Sequence, residues 1–399
     1  MAIGALIGAY QEDDAGGLRA LLPLAGEALL DYQARCLASA GAAPIIVYVE
    51  KIPPALQLAF ERLRSDGISI VAVSDAAEAA SRFEAGSDLL LLADGVIPDL
   101  EALTRLVEGD ESRILTVPDD EPHQAFERID GARRWAGLAR LDAGMVGATA
   151  AMLGDWDIQS TLLRRAIQAN VALEPARVGE GAGPFLAEDH ISIVNFERRL
   201  LVASRGQRSD AVARFILPVV EEASTERLME SRIRPVALLW TAIVLMLAGA
   251  FCFTRGWAAA GVALLVLSTP LDLVAKRLAM LRLRPLPSHL LALRLLWPAA
   301  GLALLALGWF EARNGSGWGA MVAALSALAF AEAGRIERSD AELAGGQWLF
   351  ARRNLIFLAI PFAFLSRWPV FLGLAALYAA VSFFVLQHIR HGLGQSPQR

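Results

Sequence analysis

Six apolar blocks occupy the second half of this 399-residue chain, and they constrain its fold more than any other feature. The blocks lie near residues 235–254, 257–275, 289–309, 317–333, 354–366 and 369–388. A helix that crosses a bilayer needs about 20 mainly apolar residues. The fifth block is short and contains Pro361, so we expect it to extend back through residues 348–350 or to form a kinked span. The second half is therefore predicted to be a membrane domain of six helices.

Basic residues alternate between the loops that join these blocks. The loops before the first block, between the second and third, between the fourth and fifth and after the sixth each hold two or more arginines or lysines. The intervening loops hold one each: Arg255, Arg313 and Arg367. Because cytoplasmic loops carry the excess of positive charge, we expect both termini to lie in the cytoplasm. The strong preference for arginine over lysine is typical of a GC-rich bacterial genome, so the expected location is a bacterial inner membrane.

The first half of the chain differs sharply in charge and hydropathy. Residues 1–233 carry a net charge of −14, whereas residues 234–399 carry +9. This asymmetry predicts a soluble domain joined to a membrane domain. The first ten residues have neither a basic stretch nor an apolar run as long as that of a signal peptide, so we expect the soluble half to stay cytoplasmic. Its acidity excludes a nucleic-acid surface. Because Cys36 and Cys252 fall in different halves of the chain, we expect neither a disulfide nor a cysteine metal cluster.

Short apolar runs alternate with helical patterns in this acidic half. Strands are predicted near residues 1–9, 44–50, 68–74 and 88–95, with helices at 27–40, 54–65 and 75–85. Further strands are predicted from weaker patterns at 112–118, 141–147 and 172–178. Alternation of this kind is typical of a mostly parallel sheet covered by helices.

Residues 208–232 join the two halves and have an amphipathic pattern. Val212, Phe215, Ile216, Val219 and Val220 can share one side of a helix, which Pro218 should bend. We interpret this connector as an interfacial helix that lies on the cytoplasmic membrane surface. A linker helix that packs on the soluble domain is the alternative.

The first candidate site follows the first predicted strand, at residues 6–26. The stretch Leu-Leu-Pro-Leu-Ala-Gly at 21–26 and the helix pattern after it resemble the start of the sugar-phosphate nucleotidyltransferases. That resemblance implies a phosphate-binding loop with Arg19 near the usual lysine position, and it makes Asp94 the metal-binding aspartate at a strand end. A loop that cradles phosphates needs free backbone N–H groups and positive charge, whereas this one carries Glu12, Asp13 and Asp14. The turn after a strand is the alternative role for Asp94.

The second candidate site lies at the end of the second apolar block, where Asp272 is followed by a basic loop. Its position and the six-block layout resemble the CDP-alcohol phosphatidyltransferases, whose signature places four aspartates on two facing helices. Aligned here, Asp272 is the first aspartate and Ala279 matches, but Ala275, Leu293 and Trp297 stand at the other carboxylate positions. The resemblance implies a Mg²⁺ or Mn²⁺ site that holds a CDP pyrophosphate. Since three of the four carboxylates are missing, this motif cannot assemble a two-metal site.

Both resemblances together indicate a fusion of the two families. The fold class is an α/β nucleotidyltransferase-like (Rossmann-like) soluble domain at 1–205, a connector at 206–233 and an all-α six-helix transmembrane domain at 234–399. The implied function lies in phospholipid or polyol-phosphate head-group metabolism, with membrane lipids and a nucleotide or polyol phosphate as ligands and a homodimer as the assembly. The alternative is a non-catalytic protein that binds lipid or partners a membrane enzyme. Mg²⁺ or Mn²⁺ is expected as a cofactor only if the transferase activity persists.

Basic residues have replaced the missing carboxylates around the second site. Lys276, Arg277, Arg282, Arg284 and His289 lie within fourteen residues of one loop. We expect them to bind an anionic lipid head group or a phosphate directly, without a metal ion. Simple topology marking by positive charge is the alternative.

Overall fold

The chain forms two compact units in the computed structural model, which describes residues 3–84, 86–153, 156–177, 183–204, 210–231, 233–338 and 345–393. The first, here called the sheet unit, comprises Met1–Ala203 together with the short segment Leu281–Arg284. The second, the helical unit, comprises Ser204–Met280 and Pro285–Arg399.

A seven-stranded mixed sheet forms the centre of the sheet unit. The described strands of the whole unit, four of which lie outside this main sheet, are β1 (Ile3–Gly8), β2 (Pro23–Leu24), β3 (Glu27–Ala28), β4 (Ile45–Tyr48), β5 (Ile70–Val73), β6 (Asp88–Leu92), β7 (Val96–Ile97), β8 (Arg113–Pro118), β9 (Arg133–Asp142), β10 (Ala172–Pro175) and β11 (Phe185–Leu186). The main sheet has the order β10-β8-β9-β6-β1-β4-β5. Strands β5, β4, β1 and β6 pair in parallel, and β9 is antiparallel to both β6 and β8. Two small antiparallel pairs, β2–β3 and β7–β11, complete the unit.

Helices cover both faces of this sheet. They are α1 (Leu29–Ser39), α2 (Pro54–Ser65), α3 (Ala76–Ser81), α4 (Leu100–Glu108), α5 (Gly144–Ala150), α6 (Ile158–Gln168) and α7 (His190–Ala203). Alternate side chains of β1 point to opposite faces, so Ala5 and Ile7 join one apolar core and Leu6 joins the other. Burial on both faces explains why the parallel strands are continuous apolar runs rather than alternating patterns.

Strand β1 occupies the point where the order of the parallel strands reverses. Its neighbour β4 lies on one side and β6 on the other, and both pair with it in parallel. In open α/β sheets, ligands bind outside the carboxyl ends of the strands at such a point. The loops that follow β1 and β6 are therefore the part of the sheet unit in which a site is expected.

The helical unit contains α8 (Ala211–Phe215), α9 (Pro218–Met229), α10 (Pro235–Thr254), α11 (Ala258–Leu281), α12 (Leu291–Glu311), α13 (Trp318–Glu337), α14 (Arg352–Leu365) and α15 (Trp368–Leu393). Within the described residues, five of these helices are long and apolar enough to cross a membrane: α10, α11, α12 with its C-terminal extension, α13 and α15. This composition indicates a multi-pass membrane protein.

Several expectations need correction. The fifth apolar block does not extend back through residues 348–350, because Gly346–Trp348 form a 3₁₀ turn and α14 begins only at Arg352. The 141–147 pattern is not a strand: β9 ends at Asp142 and Gly144 begins α5.

The connector also differs from the single bent helix expected from the sequence. It forms two short helices, α8 and α9, and Pro218 stands at the first position of the second, where its missing N–H costs no hydrogen bond. Residues 206–209 and 232 of the connector lie outside the described residues.

Candidate functional site

A buried ion-pair cluster joins α11, α14 and the start of α8 within the helical unit. Asp272 of α11 pairs with Arg352 at 2.8 Å and with Arg353 at 2.5 Å, both from the first turn of α14. Arg353 also pairs with Asp210, the N-cap of α8. All four side chains are largely buried, so each charge depends on the others for compensation.

This cluster lines one end of a cavity of about 260 Å³ within the helical unit. The cavity walls are otherwise apolar, with Leu296, Trp297, Phe330, Phe350, Phe383 and Leu386 among them. Two further arginines, Arg335 and Arg338, lie at the same cavity. Arg352 and Arg353 pair with the two aspartates, and with Arg335 and Arg338 the described lining holds four arginines against two carboxylates.

Three positions of the phosphatidyltransferase-like signature meet in this cavity. Asp272, Leu293 and Trp297 all line it, although the last two belong to α12 rather than α11. Of these three aligned positions only Asp272 presents a carboxylate, since Leu293 and Trp297 present apolar side chains. Arg352 and Arg353 contribute positive charge to the same cavity.

The residues around Asp272 do not fit the divalent metal that the resemblance implies. A Mg²⁺ site needs oxygen ligands, whereas both oxygens of Asp272 face guanidinium groups. Among the described residues, no three His, Cys, Asp or Glu side chains are grouped so that they could hold a metal ion. Placing a divalent cation beside two arginines would add like-charge repulsion, and the two aspartates of the cluster are already paired with those arginines.

The basic loop is divided between the two units. Arg282 and Arg284 belong to the sheet unit, where Arg282 donates to the carbonyl of Ala25 at 2.8 Å and Arg284 pairs with Glu27 at 3.1 Å and with Asp66. Arg282 is buried, and carboxylates already compensate Arg284.

The rest of that basic loop belongs to the helical unit. Arg277 is buried and donates to Ser204 at 3.0 Å and to Glu221 at 3.2 Å. Lys276 and His289 are exposed. A phosphate-binding role for the loop stays a prediction, and its buried arginines are engaged by protein groups.

Asp94 lies in the sheet unit, in the turn after β6, at the strand-order reversal described above. Its Oδ2 accepts hydrogen bonds from the backbone N–H groups of Tyr10 and Gln11, each at 2.7 Å. Gln159 of α6 accepts from the Asp94 N–H at 3.1 Å and donates to the carbonyl of Leu92 at 2.7 Å. The loop after β1 is thereby tied to the end of β6 through one carboxylate.

The second oxygen of Asp94 is different. Oδ1 is buried and has no hydrogen-bond partner in the described part of the chain. Burial raises the pKa of Asp94 to about 6, against the lowering effect of the backbone donors and of Arg19. An unsatisfied buried carboxylate oxygen costs free energy, which is typical of a functional position.

A pocket of about 150 Å³ opens beside Asp94. Its lining includes Tyr10, Gln11, Arg19, Asp94, Phe126, Glu127, Trp135, Asp157, Gln159 and Ser160. Arg19 lines this pocket, and its guanidinium donates to Gln11 at 2.9 Å and to the carbonyl of Glu12 at 3.2 Å. A phosphate-binding role for Arg19 stays a prediction. The lining carries three carboxylates and one arginine, so its electrostatic character opposes a polyphosphate.

The same pocket does not fit the metal that the resemblance assigns to Asp94. Although three carboxylates line the pocket, no three His, Cys, Asp or Glu side chains of the described residues are grouped closely enough to hold a metal ion. Mg²⁺ sites with fewer carboxylates usually add substrate phosphates, which the negative lining disfavours. Asp94 is therefore at the predicted place, but its surroundings favour a different ligand.

Several residues of the pocket beside Asp94 were not predicted from the sequence. Glu127, Trp135, Asp157 and Gln159 lie between or within weakly patterned segments, and only the sheet order brings them beside Asp94. Outside both sites, Asp189 accepts from the N–H of Ser192 at 2.7 Å, as at a helix start.

Comparison with known proteins identifies no family. No protein-family model matches the chain, and no curated protein matches it significantly.

Proposed function

We propose that this chain is a membrane protein of phospholipid or polyol-phosphate head-group metabolism whose helical unit binds an anionic, phosphate-bearing amphiphile without a metal ion. The observation that carries the proposal is the pairing of Asp272 with Arg352 and Arg353 at the polar end of the apolar-walled cavity. The proposal includes six spans in a bacterial inner membrane, cytoplasmic termini, a Rossmann-like soluble domain and a homodimer, all as the sequence resemblance implies.

Charge supports an anion as the occupant. The guanidinium of arginine is positively charged, and its planar array of N–H donors matches the oxygens of a phosphate. In the described residues Arg338 makes no ion pair, and Arg335 pairs with Glu332 on the helix surface. Because Asp272 and Asp210 balance Arg352 and Arg353, the excess positive charge of the described lining lies on Arg335 and Arg338, and we expect these two side chains to turn toward a phosphate.

Shape supports an amphiphile rather than a free ion. The apolar walls formed by Trp297, Phe330 and Phe383 would surround acyl or other apolar groups. Small-molecule sites typically combine such walls with a few polar groups that fix orientation. A phospholipid head group and inorganic phosphate share the phosphate chemistry, but only the former gains from the apolar walls.

The experiment uses full-length protein in a neutral maltoside detergent, titrated with short-chain phosphatidylglycerol, short-chain phosphatidylcholine and inorganic phosphate. We expect phosphatidylglycerol to raise the melting temperature, inorganic phosphate to act only at much higher concentration, and phosphatidylcholine to have little effect. The double variant Arg335→Gln/Arg338→Gln should weaken phosphatidylglycerol binding at least tenfold. Arg367→Gln, an exposed arginine outside the cavity, is the matched control.

Two results would overturn the proposal: equal binding of the zwitterionic and anionic lipids, or equal losses in the cavity and control variants. Native mass spectrometry of the purified protein provides a second readout, since a retained anionic lipid should be depleted in the double variant and kept in Arg367→Gln.

A working transferase is the second candidate, and the burial of Asp94 in a pocket at the strand-order reversal favours it. The test incubates the protein with CTP, a polyol phosphate and Mg²⁺ or Mn²⁺, then with a lipid acceptor. Release of pyrophosphate or CMP that disappears in Asp94→Asn, or in Asp272→Asn at a temperature where that variant is still folded, would establish the enzyme. No turnover together with phosphatidylglycerol binding supports the non-catalytic proposal.

A further inference from the structure

We infer that the pocket of the sheet unit beside Asp94 binds a small molecule that carries a primary ammonium group. This site lies entirely within the sheet unit and is separate from the lipid site proposed for the helical unit. The inference depends on the charges, the aromatic groups and the unsatisfied atoms of the pocket lining.

The carboxylates come from three different elements. Asp94 follows β6, Glu127 precedes β9, and Asp157 is the N-cap of α6. Arg19 is the single basic side chain of the described lining, and it is already engaged by Gln11 and Glu12. The pocket thus has a net negative charge that its own residues do not compensate.

Burial and, after it, neighbouring carboxylates disfavour the ionised forms of two lining groups. Burial and, secondarily, Asp157 raise the pKa of Glu127, against the hydrogen bond from Ser160. Burial and then Asp157 also raise the pKa of Tyr10. Because like charges disfavour one another's ionised forms, a bound cation would relieve this repulsion.

Unsatisfied atoms indicate that the cation has N–H donors. Asp94 is 2% exposed, it lines the pocket, and its Oδ1 accepts no hydrogen bond in the described residues. A primary ammonium has three N–H groups and can donate to that oxygen, whereas a quaternary ammonium has none. Trp135 also lines the pocket, and its Nε1–H lacks an acceptor among the described groups. A hydroxyl or ether oxygen on the ligand would accept from it.

Aromatic faces and size set the remaining limits. Tyr10, Phe126 and Trp135 line the pocket, and aromatic faces attract ammonium groups. The pocket is small, with a volume of about 150 Å³. The occupant is therefore a compact amine, such as an amino alcohol, rather than a nucleotide.

Calorimetric titration of the full-length protein in a neutral maltoside detergent tests the inference. The probes are ethanolamine, choline, glycerol and CTP with Mg²⁺. We expect saturable binding of ethanolamine, binding of choline several-fold weaker because it lacks N–H donors, and no measurable binding of glycerol or the nucleotide. Tighter binding of choline, glycerol or CTP than of ethanolamine would overturn the inference.

Two variants with a matched control assign the binding to this pocket. Asp94→Asn keeps an oxygen for the Tyr10 and Gln11 N–H groups but removes the charge, and Glu127→Gln removes the second charge. Each should weaken ethanolamine binding at least tenfold, whereas the exposed Glu111→Gln should leave it unchanged. If Asp94→Asn does not fold, the comparison of Glu127→Gln with Glu111→Gln decides, and equal affinities in that pair would reject the site.

Discussion

Arg353 donates to the carboxylate of Asp272 over 2.5 Å inside the helical unit, and the same guanidinium pairs with Asp210. The pairing joins the start of α14 to α11 and to the N-cap of α8. A position that the sequence resemblance assigns to a metal ligand is thereby part of a buried charge network. Substitutions at Asp272 and at the cavity arginines can separate what this network contributes to folding from what it contributes to ligand binding.

Asp272→Asn should destabilise the helical unit. The substitution leaves two buried guanidinium groups without their shared carboxylate, and breaking such a pair costs about 3 to 5 kcal/mol. Thermal unfolding of the full-length protein in detergent measures the effect, with Glu311→Gln at the far end of α12 as the control. A metal chelator should leave the melting temperature of the unmodified protein unchanged, and a large chelator effect would contradict the metal-free interpretation.

Arg35→Ala should release the segment Leu281–Arg284 from the rest of the sheet unit. Arg35 is 5% exposed, pairs with Glu27 and with Asp66 at 3.1 Å, and donates to the carbonyl of Arg282 at 3.1 Å. Removing it takes away one of the two arginines that pair with Glu27 and Asp66, while Arg284 stays paired with both, so we expect a cost of about 1 to 3 kcal/mol. Hydrogen–deuterium exchange should rise in residues 281–284.

The control for that prediction is Arg82→Ala, which removes an exposed pair with Glu78. Exposed pairs contribute at most about 1 kcal/mol, so exchange in residues 281–284 should not change. Equal exchange in the two variants would show that Arg35 does not hold the segment.

Much of the sheet unit is predictable because buried parallel strands leave a plain pattern. The strands at Ile3–Gly8, Ile45–Tyr48 and Ile70–Val73 and the helix Pro54–Ser65 are all confirmed. Strand β9 escaped prediction, since Arg133, Arg134 and Arg140 flank a central apolar stretch that is only five residues long and contains Gly137.

The sites are less predictable than the fold because they depend on long-range pairing. Asp94 and Arg19 were identified from local motifs, and the structure places both at one pocket. Trp135 and Gln159 reach that pocket through the antiparallel β9 and through α6, which no local spacing encodes. Arg352 and Arg353 were interpreted as topology markers, and only the packing of α14 beside α11 shows their pairing with Asp272.

Asp94→Asn should stabilise the protein at neutral pH but not in acid. The folded-state pKa of about 6 exceeds the ordinary value of 3.8, so the folded state binds this proton more tightly than the unfolded state does. Stability is therefore lost as the pH rises from about 4 to 6, and removing the titrating group restores about 1 to 3 kcal/mol above that range. Melting temperatures at pH 4.5 and 7.5 should show the gain mainly at the higher pH, and the same gain at both would contradict the burial of the charge.

Gly95→Ala should distort the turn that presents Asp94. Gly95 has φ +74°, and a Cβ there would lie 2.8 Å from the carbonyl oxygen of Ala187. Gly67→Ala is the matched control, because its φ is +82° but nothing lies within 4 Å of the added Cβ. In both variants an alanine in the left-handed backbone conformation should lower the free energy of unfolding by roughly 1 kcal/mol. Only Gly95→Ala should also push β11 away from β7. Unfolding free energies should differ by a further 1 to 2 kcal/mol, about the cost of a lost buried contact, and equal values for the two variants would show that the turn yields without strain.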